Sequence, residues 1–208
     1  MIQGIEVGIV KEVSLVKTFL KVGLTCSIFL ISLISTILTN NISLLSVTIT
    51  VGLLSCTIGD FFMDRERLVP GLVSFSTAYL LYSIGFIFTY DFSDYWIILI
   101  STFMILILIA IKFILPNFQT DGALSVIVPV LTVVEMILFT TALGSLLANQ
   151  SGPTLLFTLG SIGILICDTI VGFLHFSKIE SNIFLARLVL FICWYGGLLA
   201  LAVGNILS

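Results

Sequence analysis

Residues 42–63 read ISLLSVTITVGLLSCTIGDFFM, a helix-length apolar run whose single charged residue is Asp60. A membrane-crossing helix needs about 20 mostly apolar residues in a row, and this stretch supplies them. A charge at the centre of such a helix costs about 2.5–3.5 kcal/mol on insertion scales, so an acid inside a span marks a functional site by default. Residues 154–174, TLLFTLGSIGILICDTIVGFL, repeat the pattern with Asp168. Each aspartate lies late in its run, follows a Ser/Cys/Gly-containing stretch, and precedes a short charged connection and another apolar run.

The rest of the chain fits the same reading. Of its 208 residues, 59% are hydrophobic and 9% charged, against about 45–50% and 25% in soluble domains. Seven apolar runs cover residues 18–39, 42–63, 68–89, 95–115, 123–147, 153–174 and 183–206. The connections are short and carry turn residues, such as Asn40-Asn41, Pro116-Asn117 and Asn149 to Pro153. The expectation is an all-α integral membrane protein, a bundle of seven transmembrane helices forming one domain over residues 1–208. The first thirteen residues contain Glu6, Lys11 and Glu12. They lack the apolar core of a cleavable leader and are expected to lie at the interface or insert in part.

Charge placement sets the orientation. Lys11, Lys17, Lys21, Arg65, Arg67, Lys112, Lys178 and Arg187 all fall on one side of the seven-span scheme, and Asp91 and Asp94 on the other. Basic connections stay cytoplasmic, which puts the N-terminus in the cytoplasm. Both aspartates then lie toward the cytoplasmic ends of spans that run in the same direction. If spans 2 and 6 are neighbours, the carboxylates share one cytoplasmic-side pocket. Spans 2–3 and 6–7 also read as a weak internal repeat, in which Tyr82 follows Asp60 as Tyr195 follows Asp168.

Other polar residues join the candidate list. Glu135, in VLTVVEMILF, either lines the pocket or bonds a neighbouring helix as a neutral acid. Lys17 and Lys21 lie one helical turn apart, placed to hold a lipid phosphate or to act as snorkelling anchors; Arg187 has the same two readings. Tyr82 and Tyr195 are candidate hydrogen-bond donors to an ether oxygen or a carboxylate, or interfacial tyrosines. Asp64 is expected to be solvated or paired with Arg67. Gly52, Ser55, Gly59, Gly160, Ser161 and Gly163 permit close helix approach around the aspartates.

Several classes are excluded. Net charge is −3 and there is no basic patch for nucleic acid. His175 is the only histidine, and the four cysteines lack metal-ligand spacing, so no metal or other cofactor is expected. The seventh run has no lysine for a retinal Schiff base.

The stretch Ile58-Gly59-Asp60-Phe61-Phe62-Met63, followed by Pro70-Gly71-Leu72-Val73-Ser74-Phe75, by Tyr79-Leu80-Leu81-Tyr82 and by Phe86, resembles the hallmark of the lysoplasmalogenase-like (YhhN-type) membrane proteins. Cys167-Asp168-Thr169 resembles the family's second hallmark, and Pro129-Val130 its proline-containing fifth span. The likeness covers essentially the whole chain. Tyr79 stands where the family often has His and is a candidate substrate-binding residue, Cys167 stands where it usually has Ser, and no Lys-Pro occurs at the early lysines. The family is usually drawn with eight spans, the additional one N-terminal.

The resemblance implies hydrolysis of the vinyl-ether bond of lysoplasmalogens to a fatty aldehyde and a glycerophospho-head group, with Asp60 and Asp168 as the catalytic pair. Its partners are a lysophospholipid substrate and the bilayer, in the cell membrane if the source is prokaryotic. Vinyl ethers hydrolyse through protonation at carbon, which needs a neutral acid and an anionic partner, a division of labour akin to that of glycosidases. Two carboxyl groups sharing a low-dielectric pocket cannot readily both ionise, which meets that need. A proton-coupled transporter or channel and a catalytically silent relative are the alternative readings.

Overall fold

The computed structural model describes residues 2–40, 42–176 and 183–208, with side chains from Thr18 onward apart from Ile183 and Phe184. The chain is a helical bundle: α1 (Ile2–Leu38), α2 (Leu44–Asp64), α3 (Leu68–Thr89), α4 (Trp96–Ile109), α5 (Leu124–Ala148), α6 (Gly152–Phe176) and α7 (Ile183–Leu207). Among the described residues, seven helices are long and apolar enough to cross a membrane, making this a multi-pass membrane protein. The N-terminal segment is helical and continuous with the first span, so no separate eighth helix occurs among the described residues. At 1.5 Å per residue, α1 is about 55 Å long, more than the bilayer core of about 30 Å requires.

Helix order around the bundle is not simple chain order. α1, α2, α3, α5, α6 and α7 pack in succession and close a ring, α7 meeting α1, while α4 lies outside against α5. Composition explains the exclusion. In lipid there is no hydrophobic drive between helices, and close packing depends on small residues. α4 reads WIILISTFMILILI, without glycine or alanine, and only Leu99 of it is buried. Its bulky side chains, Ile97, Ile100 and Leu108 among them, face outward. The helix ends in a π-helical turn (Ala110–Ile114) and a 3-10 turn (Leu115–Asn117) at Pro116.

The two tightest hairpins, α2–α3 and α6–α7, use the opposite chemistry. A Cβ on Gly59 would lie 2.4 Å from the Phe75 ring, and one on Gly52 would lie 2.3 Å from Tyr82. In α6–α7 the backbones themselves approach: a Cβ on Gly160 would lie 2.8 Å from the Gly197 carbonyl oxygen, and one on Gly163 equally close to that of Cys193. Interhelical hydrogen bonds supplement this packing, each worth about 0.6 kcal/mol on average inside membranes. Ser55 Oγ donates to the Ser74 carbonyl at 2.8 Å, and Thr158 Oγ1 to the Ala142 carbonyl at 2.9 Å.

The connections are also specified. α2 closes with the Arg67 N–H bonded to the Phe62 carbonyl at 3.0 Å, which places Glu66 in the left-handed region at φ 59°. Between α3 and α4, the Ser93 N–H donates to Asp91 and holds that exposed carboxyl below the usual range. Between α4 and α5, the Gln119 N–H donates to the Phe176 carbonyl at 2.7 Å. The neighbouring Phe118 ring fills the space left by Gly172, and this seats the connection on the end of α6.

Candidate active site

The ring encloses a cavity of about 560 Å³ toward the ends of the helices where the basic residues cluster. Asp60, Asp168, Glu135, Lys21, Arg187 and Tyr195 all line it. The cavity therefore brings together carboxyl groups from α2, α5 and α6 and cations from α1 and α7.

Asp60 is 8% exposed. It accepts hydrogen bonds from Thr25 of α1 and from the Trp194 indole N–H of α7, the latter at 3.2 Å. Asp168 is partly exposed to the cavity, and Tyr79 of α3 donates its hydroxyl to it at 2.5 Å. Tyr79 is itself fully buried and stands behind Asp168 rather than on the cavity wall. The donors cross between hairpins: α7 serves the carboxylate of α2, and α3 serves the carboxylate of α6. α2 and α6 are not ring neighbours, so the two carboxyl groups reach the one cavity from separated helices, close enough for a charge on one to act on the other.

Glu135 of α5 is 5% exposed, and its Oε1 has no hydrogen-bond partner. It lies close enough to Asp168 that a charge on one acts on the other. Tyr195 lines the cavity beside the Phe191 ring, and its hydroxyl donates to the Lys21 carbonyl at 3.3 Å. Tyr82 does not line the cavity; its hydroxyl meets the Cys56 thiol at 3.5 Å. The pairing suggested by the internal repeat, Tyr82 with Asp60 and Tyr195 with Asp168, is thus replaced by Trp194 with Asp60 and Tyr79 with Asp168. Lys21 reaches the cavity wall, whereas the side chain of Lys17 lies outside the described residues. Asp64 accepts a hydrogen bond from Thr18 of α1, and Arg65 stacks over the Phe61 ring at 4.1 Å. Arg187 and His175 stand on the cavity wall and are exposed.

Trp194 and Thr25 are the site residues that the sequence reading missed. Thr25 follows Lys21 by one helical turn, and so shares its face. An indole N–H inside an apolar run needs an acceptor, and Asp60 is one of few that a membrane helix offers. Among the described residues, no three His, Cys, Asp or Glu side chains converge as a metal site.

The chemistry available is that of acids in a shielded pocket. A neutral carboxyl can deliver a proton, an anionic one can stabilise a cation or take a proton from water, and cations at the wall can hold an anionic group. Residues 16–205 match the model of the YhhN family. No curated protein and no solved structure gives a significant match to the chain.

Proposed function

The chain belongs to the YhhN family, and from that premise we propose that it is an intramembrane hydrolase of vinyl-ether lysophospholipids. Its N-terminus is cytoplasmic, and Asp60 and Asp168 serve as its acid/base pair. The observation that carries the reading is the meeting of two carboxyl groups from different helices in one cavity, with Lys21 and Arg187 on the same wall. Asp60 lies four residues before the end of α2 and Asp168 eight before the end of α6, which corresponds to depths of about 6 and 12 Å. A vinyl-ether bond sits just below the glycerol of a lysolipid. A substrate whose phosphate meets Lys21 and Arg187 therefore presents that bond at the level of the aspartates.

The reaction consumes one water. A carboxyl proton moves to the β-carbon of the vinyl ether, the new C–H bond forming from the π pair, and an oxocarbenium ion results. The opposite carboxylate stabilises this cation and accepts a proton as water adds to the α-carbon. The hemiacetal hydroxyl then gives up its proton as the bond to the glycerol oxygen breaks, the glycerol oxygen takes up a proton in its place, and the aldehyde and alcohol leave. A low-dielectric, preorganised pocket strengthens the interaction of an anion with the developing positive charge. Trp194 and Thr25 fix the orientation of Asp60, and Tyr79 that of Asp168.

The test is aldehyde release from a lysoplasmalogen by purified protein in detergent, beside Asp60→Asn and Asp168→Asn variants, with an acyl-linked lysophospholipid as control. Loss of at least about 10²-fold in each variant is the scale expected of a general acid or base. Absence of aldehyde from folded wild type between pH 5 and 9 would sink the reading.

A second reading, proton-coupled transport, draws on one observation. Asn205 of α7 donates to Ser32 Oγ at 3.1 Å, Ser32 meets Thr50 at 3.0 Å, and the buried Asn205 Oδ1 has no partner. This polar seam lies in the half of the bundle opposite the cavity. Proton flux in proteoliposomes without added lysolipid would favour transport.

A further inference from the structure

The three carboxyl groups of the cavity differ in what holds them. Asp60 accepts from two donors, Thr25 and Trp194, and Asp168 accepts from one, Tyr79. Hydrogen bonds donated to a carboxylate stabilise its charged form. Glu135 has no donor to Oε1 and is almost completely buried. An unpaired anion in that position is costly. Among the described residues, the ionisable groups whose charge acts on it are Asp168 and Cys167 of α6 and Tyr79 of α3, none of them cationic.

We infer that Glu135 is the third carboxyl of the site and holds the proton that reloads Asp168 after Asp168 has protonated the substrate. The inference deepens the hydrolase reading and rests on it. In the step, the Asp168 O–H bond breaks as its proton passes to the β-carbon, whose π pair becomes the new C–H bond. The O–H bond of the Glu135 carboxyl then breaks as its proton passes, through a water of the cavity that gives up one of its own, to the Asp168 carboxylate. The water that adds to the oxocarbenium carbon releases one proton, first to Asp60. Its return to Glu135 restores the starting state, so that only water is consumed. Two features suit Glu135 to this role and not to that of the anion: the bare acceptor oxygen and its place on the wall beside Asp168. Glu135 acts through Asp168 and is a positioning and proton-holding residue rather than a catalytic one.

Glu135→Gln separates this role from packing. Glutamine reproduces the size and neutrality of a protonated glutamate but cannot release a proton. Infrared spectra of the wild type in lipid at pH 7 should contain the carbonyl stretch of a neutral carboxyl, shifted in D2O. The Glu135 component of that band should vanish in Glu135→Gln and persist in Asp60→Asn and Asp168→Asn. In the aldehyde assay, Glu135→Gln should lower kcat by about 10²-fold with KM little changed. Glu135→Asp should restore part of the rate and shift the pH profile. Absence of a Glu135 component from the wild-type band, or a Glu135→Gln variant within about threefold of wild-type kcat, a difference below 1 kcal/mol, would overturn the assignment. A wild type that shows the Glu135 band and releases no aldehyde would refute the hydrolase reading and leave Glu135 as the protonated acid of the cavity, so the two failures are distinguishable.

Discussion

Replacing Tyr79 by phenylalanine removes one atom from the site and almost nothing else. The hydroxyl donates to Asp168 at 2.5 Å, and the ring, fully buried, stacks on Phe75 with centroids 6.5 Å apart. Phenylalanine keeps the ring contact and loses the donor. If Asp168 gives up its proton in the slow step, the hydroxyl bonds a neutral carboxyl at the start and a developing carboxylate at the transition state. A hydrogen bond to a charged group is worth about 1.5–3 kcal/mol, and a neutral one about half as much. The part that appears only in the transition state is then about 0.75–1.5 kcal/mol, which corresponds to a 3- to 13-fold fall in kcat. Loss confined to the transition state lowers kcat and kcat/KM equally, so KM should stay near its wild-type value. The matched control is Tyr82→Phe. Tyr82 is just as buried, but its hydroxyl meets only the Cys56 thiol at 3.5 Å, and kcat should stay within about twofold of wild type. Steady-state aldehyde release, with thermal melting to confirm folding, measures both. Equal rates for the two folded variants, or a Tyr79→Phe defect expressed only in KM, would refute the reasoning.

The remaining predictions use the same structure. Trp194→Phe keeps the edge contact with Phe75, whose centroid lies 5.1 Å away, but loses the N–H bonded to Asp60. With Thr25 still donating, kcat should fall about 3- to 10-fold in the aldehyde assay. Lys21→Gln and Arg187→Gln each remove one cation from the cavity wall. An interfacial cation is worth about 1 kcal/mol against an anionic head group, so each should raise KM about fivefold while kcat stays near wild type. Gly160→Ala drives a methyl group to 2.8 Å from the Gly197 carbonyl oxygen. It should destabilise the fold by about 1–3 kcal/mol in detergent unfolding, whereas Gly23→Ala, with nothing within 4 Å of the new methyl, should not.

Much of this architecture is legible in the residues, and what is not has a physical cause. Span length is set by bilayer thickness, so apolar runs locate all seven spans to within a few residues, but not the start of α1, which runs back to Ile2. Intramembrane acids are costly enough that Asp60, Asp168 and Glu135 stand out without help. The glycines of α2 and α6 signal close approach, and the structure shows the rings and carbonyls that occupy the space. Ring order is a different matter. Nothing in the α4 sequence states that it stands outside while α3 skips to α5; that follows only from comparing which helices have small residues to offer. The partners of the carboxylates depend on ring order and helix rotation together. The chain therefore presents Tyr82 and Tyr195 as equivalent by spacing, while Tyr79 and Trp194 make the bonds. Tyr79 lies in the family hallmark and Trp194 beside Tyr195. The signal that would have selected Trp194 is its buried N–H, which has to find an acceptor.

Carbon protonation of a vinyl ether by a carboxylic acid in the cavity is the central step of the proposed reaction, and isotope incorporation tests it directly. Lysoplasmalogen is hydrolysed by the wild type in D2O, and the aldehyde is trapped at once by reduction and weighed by mass spectrometry. One deuterium on the carbon next to the former carbonyl, in step with aldehyde release and absent from Asp60→Asn and Asp168→Asn reactions, is the predicted result. Aldehyde without deuterium at that carbon, or no aldehyde from folded protein, would contradict it.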